Sequence, residues 1–379
     1  MNNSKSIFYN KTIGIIGGGQ LGQMLAHTAL SMSYRVAILD PDPNAPAKKY
    51  AFTHIVAEFT DKEALHKLAT ISDVITLEFE NIPVDSLIYL EQHKPLYPSA
   101  HIIKIAQNRL LEKEFFNSLN IDTTEFYPIR YHSDIDNIQN NIFPAILKTT
   151  TLGYDGKGQI RVHNKNELIS AFNALNHQEC ILEKLINLKL ETSVIVARNQ
   201  SETQVYEINE NIHINGILDT TIAPARIDED TKTQLQKYAI QIINKLEYIG
   251  VLVVEFFITE DNKILANEMA PRPHNSGHHT IESTITSQFE QHIRAICNLK
   301  LGDTRLHTKA IMLNILGDSY QNNELTQLEA ILLKFSNLKL HLYDKLIAKQ
   351  SRKMGHITLL NEDYHQLLFD VTLLKNLLL

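Results

Sequence analysis

Residues 253–279, VVEFFITEDNKILANEMAPRPHNSGHH, constrain this chain more than any other stretch. The first half reads as two apolar runs, VVEFFI and KILANEM, joined at Glu260-Asp261-Asn262. Their length suits buried hairpin strands, and neither has helical spacing. Each run carries one carboxylate: Glu255 lies among Val, Phe and Ile, and Glu268 follows Ala266 and Asn267. An unpaired buried charge is costly, so something cationic is expected beside them. Two readings stay open on these residues, a pair of buried ion pairs to Arg272 or a distant lysine, and a hard metal ion. The next residues, APRPHNSGHH, form a loop stiffened by Pro271 and Pro273 and dense in donors, which suits a metal beside an anionic substrate. His274 and His278 are four apart, but Gly277 and the prolines oppose the helix that would make that spacing useful for zinc.

The N-terminal part alternates strand and helix. Residues 12–16 read as a strand, 17–22 as a glycine turn, 23–31 as a helix and 35–39 as a second strand ending at Asp40, which opens a parallel βαβ unit. Gly17, Gly19 and Gly22 satisfy G-x-G-x-x-G in that context. A dinucleotide site, a backbone cradle for another phosphorylated ligand such as a ribose 5-phosphate, and a tight structural turn all fit. Strands at residues 73–79 and 95–97 continue the alternation to about residue 100. Glu78 and Glu80 fall at the C-terminal end of a strand, where open parallel sheets bind ligands.

The middle of the chain changes character. Residues 108–116 read as a helix with Arg109 and Lys113 four apart, either a solvated face or two cations able to hold phosphate. Residues 143–148 read as a strand ending at Lys148, followed by a glycine-containing loop to Gln159 that has no Walker A signature and runs into a strand. Residues 179–183 form another strand, with 184–186 as a linker whose backbone can pair with an adenine edge and Glu183 and Glu191 suited to ribose hydroxyls. Alternating strands at 190–197, 204–208 and 216–225 imply an antiparallel sheet, and 228–246 a long amphipathic helix. Beyond residue 298, strands are expected at 310–316 and 338–343, a helix at 324–335, and a basic turn holding Arg352 and Lys353 before a last strand.

Composition narrows the partners. With 379 residues, 44% of them hydrophobic, two or three domains are expected. The formal charge of -7 and the lack of a Lys/Arg block argue against nucleic acid or an anionic membrane as the main partner. Cys180 and Cys297 lie far apart in apolar segments, so they are expected to be buried and reduced, as in the cytosol. The first twelve residues lack the apolar core of a signal peptide, and no run reaches the ~18 apolar residues of a spanning helix.

Taken in order, Lys148, GYDGKGQ at 153–159, Glu183-Lys184-Leu185-Ile186, Glu191, His213, Glu255 and Asn267-Glu268 resemble the conserved positions of ATP-grasp ligases. With GIIGGGQLGQM, LEFENIP, APRPHNSGHHTIE and SRKMGHIT, the chain is similar over nearly its whole length to the 5-(carboxyamino)imidazole ribonucleotide synthase family of purine biosynthesis. The resemblance implies an α/β and α+β fold in three parts. These are an N-terminal open parallel α/β (pre-ATP-grasp) domain at 1–105, a central two-lobed ATP-grasp domain at 106–300 with its lid lobe near 125–186, and a small C-terminal domain at 301–379. It implies a cytoplasmic homodimer that uses ATP and Mg2+ to join bicarbonate to 5-aminoimidazole ribonucleotide. ATP is expected at Arg109, Lys148, Gly153, Tyr154, Asp155, Gly156, Lys157, Gly158, Gln159, Glu183 to Ile186, Glu191, His213, Asn267 and Glu268, with the metal on Glu255 and Glu268. The ribonucleotide is expected at Gln20, Leu21, Glu78, Tyr154, Arg352 and Lys353. Arg272, His274 and Asn275 fall in the bicarbonate region, and these three with Asp155 and Lys157 form the expected catalytic set. The chain departs from the family pattern at Leu152, where a glycine is usual, and at Ala270, where many ATP-grasp ligases carry a third metal ligand.

Overall fold

The structure is a computed structural model that describes residues 6–151, 158–317 and 324–378. Among these residues the strands fall into three sheets. The first is parallel and holds β1 (Thr12–Ile16), β2 (Arg35–Leu39), β3 (Thr53–Ile55) and β4 (Val74–Leu77) in the order β3-β2-β1-β4. Its crossovers include helices α1 (Gln20–Ser31) and α2 (Lys62–Ile71), and α3 (Val84–Glu91), α4 (Ala100–Ala106) and α5 (Arg109–Ser118) follow. Fully buried strands and an apolar face on α1 close a core with Phe289, Ile293 and Ile296 of the helix Gln288–Ile296. The expected strand at 95–97 is reduced to a single parallel bridge, Ile75 to Leu96.

The second sheet is antiparallel, with β5 (Phe126–Ile129), β6 (Ala145–Thr149), β7 (Gln159–Val162) and β8 (Cys180–Lys184) in the order β5-β8-β6-β7. The third comprises β9 (Leu188–Arg198), β10 (Thr203–Val205), β11 (Asn209–Ile214), β12 (Ile217–Ala223), β13 (Gly250–Thr259), β14 (Ile264–Ala270), β15 (Ala310–Leu316), β16 (Leu338–Leu342) and β17 (Lys353–Leu360). Because β12 pairs with β15, the strands after residue 300 extend this sheet rather than form a separate one.

The run VLVVEFFI is apolar almost throughout because both faces of β13 are covered. Leu252, Val254, Phe256 and Ile258 pack with Leu235, Ala239, Ile242 and Ile243 of the helix Glu229–Lys245. Val251 and Val253 pack with Ala295 and Leu301 on the other side. A register shift between Glu255 and Phe256 interrupts the pairing of β13 with β14. Such bulges redirect a side chain, here at one of the two acids.

The glycine turn has a different use from a phosphate cradle. Gly18 N–H donates to Asp40 Oδ2 at 2.6 Å, and Gly19 and Gly22 donate to the two oxygens of Glu78 at 2.5 and 2.7 Å. Three glycine amides of the turn, those of Gly18, Gly19 and Gly22, are therefore held by the protein's own carboxylates, while Gln20 and Leu21 between them line a cavity described below. A cradle made of the glycine amides, for a dinucleotide or for a ribose 5-phosphate, is corrected on that ground. Gly17 stands at φ +94°, and a Cβ there falls 2.4 Å from Glu78 Cγ. Gly17→Ala should cost about 1–3 kcal/mol through strain and overpacking. An unchanged denaturant midpoint would mean that the turn opens away from Glu78.

Candidate functional site

Two cavities lie against β13, β14 and the loop after them. The larger, about 480 Å³, is lined by Arg109 and Glu112 of α5, Lys148 of β6, Gln159 of β7, Glu191 of β9, His213 of β11, Glu255 of β13, and Asn267 and Glu268 of β14. Thus two sheets and one helix converge on it. The Asn108 side chain accepts from Leu110 and Leu111 N–H and so starts α5 with Arg109 as its first residue. The Arg109 guanidinium reaches Glu268 Oε2 at 3.5 Å.

The acids are crowded. Glu255 and Glu268 are register partners across the β13–β14 ladder. Burial first, and the neighbouring Glu268 second, push the Glu255 carboxyl up to about 8. Glu112 is also raised well above the carboxylate range by burial and then by Glu268, although it accepts from Met269 N–H at 2.6 Å. Carboxylates that resist ionisation together gain most from a shared cation. Mg2+ commonly takes one or two carboxylates plus phosphate oxygens and water, so Glu255 and Glu268 fit that ion without a third protein acid. Burial lowers and Glu191 raises the affinity of His213 for a proton, and the carboxylate prevails, holding the imidazole above its usual range.

Not every expected nucleotide residue lines this cavity. Gly153, Tyr154, Asp155, Gly156 and Lys157 lie outside the described residues. Gly158 turns the chain at φ +69° and its carbonyl accepts from Thr149 N–H. Glu183 is buried behind Lys148, which donates to it at 2.9 Å. The linker amides of Lys184 and Leu185 are spent on Glu125 O and Pro144 O, so those two N–H groups are not available to an adenine edge. Ile186, the last of the group, is also outside the lining.

The second cavity, about 340 Å³, is lined by Gln20, Leu21, Glu78, Arg272, His274, Asn275, Arg352 and Lys353, drawn from all three expected parts of the chain. Lys345 completes it. This lysine belongs to none of the motifs above; it follows the strand β16 and donates to Gln20 Oε1 and to Lys353 O at 2.7 Å. A lysine just beyond a strand end, seven residues before Arg352, was the only local signal. The lining is cationic, with Arg272, Lys345, Arg352 and Lys353 against the already bonded Glu78, so it suits a phosphorylated ligand. Asn275 is buried, and among the described residues neither its Oδ1 nor its Nδ2 finds a partner, as expected of an amide kept for a ligand.

Arg272, His274 and Lys353 line both cavities. Arg272 grips Glu80 through Nε at 2.5 Å and Nη2 at 3.2 Å. Burial raises the Glu80 carboxyl, but the guanidinium outweighs it and holds the group below its ordinary range. His274 comes within 3.6 Å of Glu255, yet burial, then Arg272 and Lys353, keep the imidazole neutral, so this is no ion pair. Ser276 N–H donates to His274 Nδ1, which places the ring proton on Nε2 and makes that nitrogen a donor. His278 and His279 are buried in packing; the two His279 nitrogens meet Ser283 and Asn209. Among the described residues no three metal-ligating side chains gather.

Comparison with known proteins follows the same order along the chain. A ribonucleotide synthetase preATP-grasp domain matches residues 10–107, an ATP-grasp domain 114–289, and a phosphoribosylaminoimidazole carboxylase C-terminal domain 310–369. The chain is 42% identical over 372 residues to an N5-carboxyaminoimidazole ribonucleotide synthase of Bacillus subtilis (strain 168), covering 97% of each. A solved ADP complex of an N5-carboxyaminoimidazole ribonucleotide synthetase superposes with a TM-score of 0.93 at 42% identity, covering 98% of both chains. An Aspergillus clavatus N5-carboxyaminoimidazole synthase, in complex with ADP and 5-aminoimidazole ribonucleotide, superposes with a TM-score of 0.90 at 30% identity, over 98% of this chain and 99% of that one.

Proposed function

The chain belongs to the N5-carboxyaminoimidazole ribonucleotide synthase family of ATP-grasp ligases, and from that footing we propose that it joins bicarbonate to 5-aminoimidazole ribonucleotide, coupled to conversion of ATP to ADP and phosphate, in purine biosynthesis. One observation carries the reading: an acid-rich cavity suited to a nucleotide and its metal opens beside a cationic cavity suited to a sugar phosphate, and Arg272, His274 and Lys353 belong to both. A carboxyl group made in one is made beside the other, at the residues they share.

Bicarbonate is a poor electrophile, so its activation comes first. An oxygen of bicarbonate attacks the γ-phosphoryl group, ADP leaves, and carboxyphosphate results. The amine nitrogen then forms a bond to that carbon, directly or after CO2 is released, phosphate departs and the amine loses a proton. Arg109 and Lys148 place positive charge against the phosphates, and Arg272 with the Nε2–H of His274 and the amide of Asn275 hold the bicarbonate oxygens. Mg2+ on Glu255 and Glu268 supplies further neutralisation of phosphoryl charge when bound. Lys345, Arg352 and Lys353 hold the 5′-phosphate, with Gln20 and Leu21 at the wall. The loop 153–159 would exclude water from the reactive anhydride, and Asp155 within it is a candidate to take the amine proton. Two free, buried cysteines accord with a reducing cytoplasm, and a homodimer follows from the family resemblance, to be checked by sedimentation.

The deciding experiment measures ADP release with bicarbonate and with the ribonucleotide, each omitted in turn. Release that ignores the ribonucleotide would sink the proposal. Arg352→Ala should raise KM for the ribonucleotide about 10- to 100-fold, the size of one charge-assisted hydrogen bond, and leave KM for ATP within a few-fold. A loss confined to ATP would put this turn beside the nucleotide instead.

A further inference from the structure

Glu183 has two lysine neighbours, and only one of them reaches the nucleotide cavity. Lys148 lines the cavity and donates to Glu183 Oε2 at 2.9 Å. Lys113 lies 3.6 Å from the same oxygen, is 1% exposed, and its Nζ makes no hydrogen bond among the described residues. An ammonium with three donors and none used is an expensive thing to bury. Burial pushes the Lys113 ammonium down and Glu183 pulls it back, while the two lysines together overcome burial and hold Glu183 at about 2. The lysines sit on different bodies: Lys148 on β6 of the small antiparallel sheet, Lys113 on α5 beside Arg109 and Glu112. Replacing such a costly group with an apolar one would be easy if it served packing alone.

Binding of an anionic phosphate changes the balance around Glu183. One ammonium cannot face both the carboxylate and a phosphate at full strength, and the phosphate carries more charge. With Lys148 drawn away, Glu183 would be left buried and unpaired. A shift of under ~1 Å brings Lys113 Nζ from 3.6 Å into hydrogen-bond range.

We propose that Lys113 is the reserve partner of Glu183: when a nucleotide phosphate draws Lys148 into the cavity, Lys113 closes on Glu183 and keeps that carboxylate paired, so that it sets nucleotide affinity without touching the nucleotide. This makes Lys113 a positioning residue, and the inference rests on the nucleotide reading of the larger cavity. It also ties the small antiparallel sheet to α5 at the moment of binding.

The test is a cycle of variants read by ATP and ADP titration and by steady-state kinetics. Lys113→Met should weaken ATP and ADP by on the order of 10- to 100-fold, the loss falling more on KM for ATP than on kcat, and Lys113→Arg should restore most of it. Adding Glu183→Gln to Lys113→Met should recover affinity, because a neutral amide needs no cation. A purely structural lysine would lower stability without this recovery. Affinity within twofold of the native protein in Lys113→Met, or a double variant no better than the single, overturns the proposal. If Lys113→Met does not fold, the comparison moves to the Glu183→Gln background. There, removing Lys113 should cost less than about threefold, and a tenfold loss overturns the idea. Failure of the cavity assignment looks different: Lys148→Met would then leave ATP affinity unchanged.

Discussion

Glu268→Gln should lower ATP turnover by about 10²–10³-fold while the protein keeps its fold, the scale expected for loss of one preorganised electrostatic group. Glu268 is more exposed than Glu255, faces it across the β13–β14 ladder, and is reached by Arg109. Replacing it with the neutral isostere relieves the repulsion that raises Glu255 and Glu112, so the fold should not weaken. On the proposed metal site, what is lost is the second anionic ligand for Mg2+, and the Mg2+ concentration needed for half-maximal rate should rise together with the fall in turnover. The measurement is a Mg2+ titration of ADP release at saturating ATP, with thermal melting of the free variant beside it. Near-native turnover at saturating Mg2+ would remove Glu268 from the site. A collapse of the melting temperature would instead assign the acid to the Arg109 ion pair.

Arg272→Met should abolish carboxyl transfer to a similar extent, about 10²–10³-fold, because it takes a cation from the junction of both cavities. Here stability also suffers. Glu80 loses its bidentate partner, and stranding a largely buried carboxylate costs on the order of 3 kcal/mol. These two losses can be separated. Glu80→Gln in the same chain should return the melting temperature toward the native value and leave turnover low. If turnover recovers along with stability, Arg272 serves to hold the loop after β14 and does not act on bicarbonate.

Local chemistry was enough to place much of the framework. The runs VVEFFI and KILANEM paired as a hairpin, the strands 12–16 and 35–39 lie parallel, and helix starts fall where Asn108 and Asp228 cap them. The strands and the helix starts depend on residues within a few positions of one another, and the strand–helix–strand order implies the parallel pairing. β11 was missed, because Asn209–Ile214 opens with three polar residues and has no apolar run, and the burial of those three comes with their pairing to β9 and β12. The helices Gln288–Ile296 and Tyr364–Leu378 were also missed.

Within the site, the sequence by itself determined which residue types were available: two acids on adjacent strands, a lysine ending a strand, and a donor-rich loop after the second acid. Their convergence was decided by the tertiary structure. The amide of Gly22 is held by Glu78, 56 residues away, so a glycine pattern that fits a phosphate cradle is closed by a carboxylate that the pattern does not include. Lys345 meets Gln20 across 325 residues, and Glu112 meets Met269 across 157. Spacing reports the geometry of one helix or one strand, because backbone hydrogen bonds repeat at fixed short intervals. Which distant charge fills a given space depends on how three sheets pack, and that packing alone made Lys113 the second cation at Glu183.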